Sequence, residues 1–427
     1  WATATTRDRP NLRALLARRL VREGRLDEAI AFFDDPKIAA LARRIQTARN
    51  DTAADLAALP DSVRRAARLF AEAEVVRTAG IELLGTVHGE QYELVTEDGA
   101  KLHVEVDEPG PRDADGELPL TVVLVHGYGL SSQSWHFQRL ALRGRHRVVT
   151  YDQRGHGRSE AGPRGSARIP VLAQDLYAVL QAHVPDGPIV LVGHSMGGMT
   201  VMSLASQRSE LFGSRIFGVG LVATSAGELS TLDFGLPGGE AVARVAPNVL
   251  ALLARQPQLV LRGRRMVADV ERLIVRRWSF ASPVPPELTR FVATIISDTS
   301  LDVVSDFLPG FTEHDEIEAL SVLEGLETLV LVGDSDRMTP PRHSEAIVRA
   351  LPHAEHVVVR QAGHLVMLEH PDVVTGHLLD LVSRAMRVVR SESRPPRRRR
   401  RAAEAVQRLV KRPGDGRSAR LGVERGA

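Results

Sequence analysis

The chain contains no cysteine, which excludes disulfides and thiolate chemistry while leaving the compartment open. Lysine is nearly as scarce: Lys37, Lys101 and Lys411 are the three lysines among 55 basic residues. Arginine richness of that kind reads as coding bias, so no nucleic-acid partner is expected. No stretch approaches the roughly eighteen uninterrupted apolar residues a membrane-spanning helix needs, and the N-terminal residues lack the order of a secretory signal. Cytoplasm is the expected compartment; residue 1 is Trp rather than Met, which leaves open what preceded it. No His/Asp/Glu group has metal-ligand spacing, and there is neither a P-loop nor a dinucleotide fingerprint, so no cofactor and no metal are expected.

What is present is apolar enough to fold. With 427 residues, 43% of them hydrophobic, the chain has room for two or three domains and a substantial core. Its net charge of +2 conceals a split, since residues 384–427 carry 15 Lys and Arg against 4 Asp and Glu, leaving −9 for the rest. The C-terminal part, from about Ser391, includes Arg394-Pro-Pro-Arg-Arg-Arg-Arg-Arg401. Two readings of it stand: a solvated end, or an electrostatic contact with an anionic membrane surface that would make the protein peripheral to a membrane.

Hydrophobic periodicity divides the chain. Over residues 10–80, Leu12, Leu15, Leu16 and Leu20, then Leu26, Ala29, Ile30 and Phe33, recur at helical spacing. Gly24 to Phe33 resembles half of one tetratricopeptide unit; a single copy cannot stack into a solenoid, so an appended helical region is expected over 1–85. From residue 88 the period shortens to two. Segments 91–96 and 101–106 alternate around Glu97-Asp-Gly-Ala100, the pattern of a hairpin. Largely apolar runs follow at 121–125, 147–151, 189–192, 218–223, 328–333 and 356–360, separated by helical stretches at 135–142 and 169–182. Strands buried on both faces and alternating with helices specify a largely parallel α/β sheet. Between 223 and 328 the alternation is interrupted by helical sequence, with helices predicted at 242–253, 259–277 and 286–296. An insertion past the carboxyl end of a strand overhangs the edge where open α/β sheets bind ligands, and is a candidate lid.

Chemistry concentrates at Ile189-Val-Leu-Val-Gly-His-Ser-Met-Gly-Gly198. A buried strand running through Gly193-x-Ser195-x-Gly197 into a helix holds Ser195 on a sharp turn, where a neighbouring Cβ would collide with adjoining elements. The same turn aims the first amides of the helix at whatever negative charge forms beside Ser195. The five-residue pattern is weak alone, since a Gly/Ser loop has the same letters. A serine nucleophile also needs a base, and the base needs an acid to set its tautomer. Gly333-Asp-Ser-Asp-Arg-Met-Thr-Pro340 follows one strand and offers Asp334 and Asp336; Asp336, at the turn, is favoured. Gln361-Ala-Gly-His364 follows the last strand and offers His364. Nearby residues read as structural: His194 as pointing away from the nucleophile, His156 as bonded within its loop, Asp152 and Arg154 as tying that loop together, and His126 as bracing the turn after its strand.

Taken jointly, the elbow Gly193-His-Ser-Met-Gly197, the His126-Gly127 turn, Asp152-x-Arg-Gly-His-Gly-x-Ser159, Gly333-x-x-Asp336-x-x-x-Pro340 and Gly363-His364 resemble the α/β-hydrolase family over about residues 88–390. The resemblance implies segments of core at 86–223 and 316–390, a helical cap at 224–315 and a tail at 391–427. It implies an oxyanion hole formed by the backbone N–H groups of Met196 and Tyr128; the Tyr128 side chain either shapes the acyl pocket or packs under the lid. Relatives that open epoxides or displace halide place Asp at the elbow, which Ser195 argues against. What the resemblance implies is a serine hydrolase of carboxylic esters, similar to small-ester and monoacylglycerol-type lipases, acting on a small-molecule ester or lipid. Cofactor-free perhydrolases and carbon–carbon bond hydrolases share the same triad, and a non-catalytic ligand-binding or scaffold protein on this fold is the alternative from another class.

Overall fold

The computed structural model describes residues 80–109, 120–228 and 279–392. Eight strands form one sheet in the order β1-β2-β4-β3-β5-β6-β7-β8. They are β1 (Glu90–Val95), β2 (Lys101–Asp107), β3 (Thr121–Val125), β4 (Arg147–Tyr151), β5 (Ile189–His194), β6 (Ile216–Val222), β7 (Glu327–Gly333) and β8 (Glu355–Val359). The hairpin runs antiparallel, β2 pairing with both β1 and β4, while every other pairing is parallel. β3, β5 and β6 are buried at every position, which is why their sequences are continuously apolar rather than alternating. Each fully buried Val, Leu or Ile contributes roughly 1.5–3 kcal/mol relative to exposure.

The described helices are α1 (His136–Leu142), α2 (Ile169–His183), α3 (Met196–Gln207), α4 (Pro286–Asp298), α5 (Leu301–Glu313), α6 (Pro341–Ala350), α7 (Val366–Glu369) and α8 (Pro371–Glu392). The β1–β2 turn falls at 96–100, where Thr96 N–H donates to Ala100 O at 2.8 Å. One helix predicted between β6 and β7 is observed as α4, two residues longer than expected. A second, α5, was not separately expected. The chain breaks at Thr299 and restarts when the Ser300 hydroxyl accepts the Val303 N–H at 3.3 Å, an N-cap that a purely hydrophobic reading passes over. The helices predicted over 10–80, 242–253 and 259–277, and the tail beyond 392, lie outside the described residues. Among the described residues no helix is long and apolar enough to cross a membrane.

Two buried ion clusters fasten the hairpin to the rest. Arg139 of α1 donates to Asp107 at 2.5 Å and to Glu105 at 2.7 Å on β2. Arg154, in the loop after β4, donates to Asp175 of α2 at 2.6 and 2.7 Å and to Asp98 of the hairpin turn at 2.7 Å. Buried charges are tolerated when they are paired with opposite charge, and each cluster joins elements remote in sequence.

Candidate active site

Because β3, β5, β6, β7 and β8 are parallel, their carboxyl ends share one edge, and the loops leaving it carry the residues singled out above. β5 ends at His194, and Ser195 caps α3 with φ 51° and ψ −119°, a strained conformation for a residue with a side chain. The packing explains the glycines. A Cβ on Gly193 would lie well under 3.0 Å from the Gly197 carbonyl, and one on Gly197 would meet the carbonyls of Val125 and His126 as closely. Only hydrogen atoms fit where the elbow crosses the end of β3. A Cβ on Gly127 would stand 3.1 Å from Ser195 Cβ, so the loop after β3 lies directly against the serine.

Among the described residues, neither the Tyr128 nor the Met196 N–H donates a backbone hydrogen bond. The loop carrying Tyr128 is braced from both sides. His126 Nδ1 donates to Gly127 O at 2.8 Å, its Nε2 accepts the Gln153 N–H at 2.8 Å, and the Gln153 side chain donates back to His126 O at 2.6 Å. The Thr200 hydroxyl lies 2.9 Å from both Gln153 Oε1 and Met196 O, linking this brace to α3. The Tyr128 ring packs on α5, edge to face with Phe311 and Phe307 at centroid distances of 5.1 and 6.4 Å, and its hydroxyl donates to Val304 O.

β7 and β8 supply the other pair. Asp336 and His364 come together at the sheet edge, with Nδ1 at 2.9 Å from Oδ2 and 3.1 Å from Oδ1. The carboxylate is held independently of the imidazole: Oδ1 accepts the N–H groups of Met338 and Thr339 at 2.9 and 3.0 Å, and Oδ2 accepts the Thr339 hydroxyl at 2.9 Å. An acceptor-only carboxylate puts the imidazole proton on Nδ1 and leaves Nε2 unprotonated. Asp334 instead stands at the surface, accepting from Ser335 Oγ and the Gln361 N–H at 2.8 Å. Ser195, Asp336 and His364 are all buried, at 7%, 4% and 4% exposure. Ser195 Oγ makes no hydrogen bond among the described residues, and hydroxyl–imidazole bonds of this kind often tighten only with substrate in place.

The surrounding imidazoles are held neutral. Burial depresses His126 and drives His194 well below its ordinary value, and it lowers His156 to about 3. His156 donates from Nδ1 to Arg154 O at 2.9 Å, within its own loop. Asp152 accepts the N–H groups of Ser132 and Arg158 at 2.7 and 2.9 Å and so ties the loop; Arg154 reaches outward to Asp98 and Asp175 instead. Among the described residues no group of three or more His, Asp and Glu side chains could hold a metal ion. Sequence reasoning missed Gln153, Thr200 and Thr339. The first two carry no local signal; Thr339 follows a turn carboxylate of the kind that accepts the N–H two residues on, as Asp336 does from Met338, so its nearness to Asp336 was there to be read.

A family model described as the alpha/beta hydrolase fold matches residues 121–371. The chain is 30% identical over 315 residues to the dihydrolipoyllysine-residue acetyltransferase component of the acetoin cleaving system of Pseudomonas putida, covering 70% of this chain and 75% of that protein. It is 28% identical to the sn-1-specific diacylglycerol lipase ABHD11 of Mus musculus, over 62% of this chain and 83% of the relative. Among solved structures it resembles a thermophilic esterase from Thermogutta terrifontis with a TM-score of 0.56 and 26% identity, covering 70% of this chain and 99% of the esterase.

Proposed function

From the premise that the chain belongs to the α/β-hydrolase fold family, we propose that it is a serine hydrolase that cleaves carboxylic esters through an acyl-enzyme on Ser195. One observation carries the reading: a buried, carboxylate-bound imidazole and a strained serine share one sheet edge with the Tyr128 and Met196 amides, which donate no backbone hydrogen bond among the described residues. In this reading His364 Nε2 takes the Ser195 proton as Oγ bonds to the ester carbonyl carbon. The Met196 and Tyr128 N–H groups hold the resulting oxyanion, and Asp336 fixes the imidazole and stabilises its charge. Collapse of the tetrahedral species breaks the carbon–oxygen bond to the alcohol, which leaves with the proton from His364. Water then repeats the sequence in reverse roles, releasing the acid. The segment between β6 and β7 serves as cap, with α5 packed on Tyr128 at its base.

The esterase of Thermogutta terrifontis and the diacylglycerol lipase of Mus musculus support carboxylic esters, acylglycerols included, as the substrate class. The test is covalent labelling by a fluorophosphonate, followed by turnover of p-nitrophenyl esters of increasing chain length and then of a glyceride. Labelling of the native chain and none of Ser195→Ala is expected. Asp336→Asn and His364→Ala should fold yet lose about three orders of magnitude in kcat. Absence of labelling in folded native protein overturns the proposal and favours a ligand-binding role on the same fold.

A further inference from the structure

Glu369 ends the four-residue helix α7 that follows His364. Its carboxylate accepts three main-chain N–H groups: Gly363 on Oε2 at 2.6 Å, and Ala281 and Ser282 on Oε1, the former at 2.9 Å. Gly363 is the residue before His364. Ala281 and Ser282 belong to the stem that leads into α4 within the segment inserted between β6 and β7. Stem and loop touch directly as well. The Leu365 N–H donates to Ser279 O at 3.0 Å, and a Cβ on Gly363 would sit 2.7 Å from Ser279 O and 3.0 Å from the Phe280 backbone. A carboxylate at a helix C-terminus is disfavoured by the peptide dipoles, so its presence is explained by the three donors it serves.

We propose that Glu369 is a positioning residue that couples the setting of His364 to the seating of the inserted segment, a role that rests on His364 acting as base. With the stem seated, one carboxylate holds the stem amides and the amide preceding the imidazole in a fixed relation. With the stem displaced, Glu369 loses two of its donors, and the bond to Gly363 no longer has a fixed origin. The Asp336 contact to the ring and the His194 contact to the His364 carbonyl do not pass through the stem, so loss of Glu369 loosens the base without releasing it. The Tyr128 hydroxyl is likewise bonded to Val304 of α5, so the inserted segment contacts both the loop carrying Tyr128 and the loop carrying His364.

The decisive variant is Glu369→Gln, the same shape with one oxygen replaced by a donor, so that either Gly363 or the stem amides face an N–H instead of an acceptor. Glu313→Gln, in an exposed ion pair with Arg168, is the control for loss of one acidic charge elsewhere in the chain. Steady-state kinetics on a p-nitrophenyl ester and hydrogen exchange of peptides spanning 279–284 and 361–365 are measured on the full chain. The expected result is kcat reduced about 10- to 100-fold with KM little changed, and faster exchange in both peptides together. Faster exchange confined to 279–284 with unaltered kcat overturns the proposal, because Glu369 would then only anchor the stem. Equal turnover by native protein and Ser195→Ala would defeat the hydrolase reading instead, and the paired exchange would still report the coupling. If Glu369→Gln proves too unstable to assay, Glu369→Asp, which keeps the charge but shortens the reach, should show the same loss in weaker form; native kcat and exchange in that variant overturn the proposal.

Discussion

His194 Nε2 lies 3.0 Å from the carbonyl oxygen of His364, and the two imidazoles sit with ring centroids 4.8 Å apart. A carbonyl can only accept, so His194 carries its proton on Nε2; its Nδ1 is buried without a partner. Burial first, and the neighbouring His364 second, keep it from charging. The residue before the serine therefore holds the backbone of the residue proposed as base. Replacing it with Phe keeps a ring but leaves a buried carbonyl unpaired, a loss of about 1–3 kcal/mol. Urea denaturation should show that loss, with fluorophosphonate labelling slowed in parallel. Gln, which retains an N–H donor, should recover part of both. A Phe variant with native midpoint and native labelling rate would remove His194 from the account.

Gly197→Ala should be among the most damaging single-atom changes in the chain. The added methyl would meet two backbone carbonyls of the β3 end, and backbone, unlike a flexible side chain, cannot step aside. A loss of at least about 3 kcal/mol, or no folded protein, is expected. Gly325→Ala, where the Cβ meets nothing within 4 Å but φ is +83°, isolates the conformational cost and should lose only about 1–2 kcal/mol. Comparable denaturation midpoints for the two variants would contradict the close approach at the elbow.

The strands were legible because apolar residues dominate them, and each of the runs at 121–125, 147–151, 189–192, 218–223, 328–333 and 356–360 overlaps a strand, the last on β8 at the sheet's edge, where Val358 is exposed. Ser195, Asp336 and His364 could be singled out as candidates because glycines, turn position and chain order mark the ends of those strands. What holds them was less legible. The bond from His194 to His364, the Gln153 brace and the triple use of Glu369 join residues that are distant in sequence, or side chains to main-chain groups whose location the sequence does not mark. Arg154 shows the same limit from the other side: its charge promised a partner, but Asp98 and Asp175 lie 56 and 21 residues away, and Asp152 next to it was the nearer candidate.

Acid stability should fall in two windows. Burial holds His156 at about 3 against an ordinary 6.5, and His146 at about 4 for the same reason. Below 6.5 the unfolded chain binds protons that the native state refuses, so this stability is complete above 6.5 and drains as pH falls toward those values. Asp98, held at about 2 mainly by its bond to Arg154, adds a second loss as pH falls from 3.8 toward 2. Unfolding free energies measured in urea at successive pH values should show His156→Gln flattening the upper window by up to about 1.4 kcal/mol per pH unit, and Asp98→Asn flattening only the lower. A His156→Gln profile parallel to that of the native protein above pH 4 would be inconsistent with a neutral, proton-refusing imidazole.

Arg154 offers the sharpest separation of a paired charge from a stranded one. Its guanidinium and the Asp175 carboxylate are both 2% exposed and meet through two bonds, whereas Asp98 is 34% exposed. Arg154→Met removes the cation but leaves Asp175 buried, where burial already raises its pKa, and should cost about 3–5 kcal/mol at neutral pH. Lowering the pH toward 5 should reduce that cost, because the orphaned carboxyl protonates in the native state before it does so in the unfolded one. Arg154→Met with Asp175→Leu removes both charges and should be more stable than Arg154→Met alone, although the loop then loses its tie to α2. Asp98→Asn should cost less than either single change at the buried pair, since solvent already compensates its carboxylate. If the double variant is no more stable than Arg154→Met, the cost lies in lost packing of the arginine stem rather than in the stranded charge.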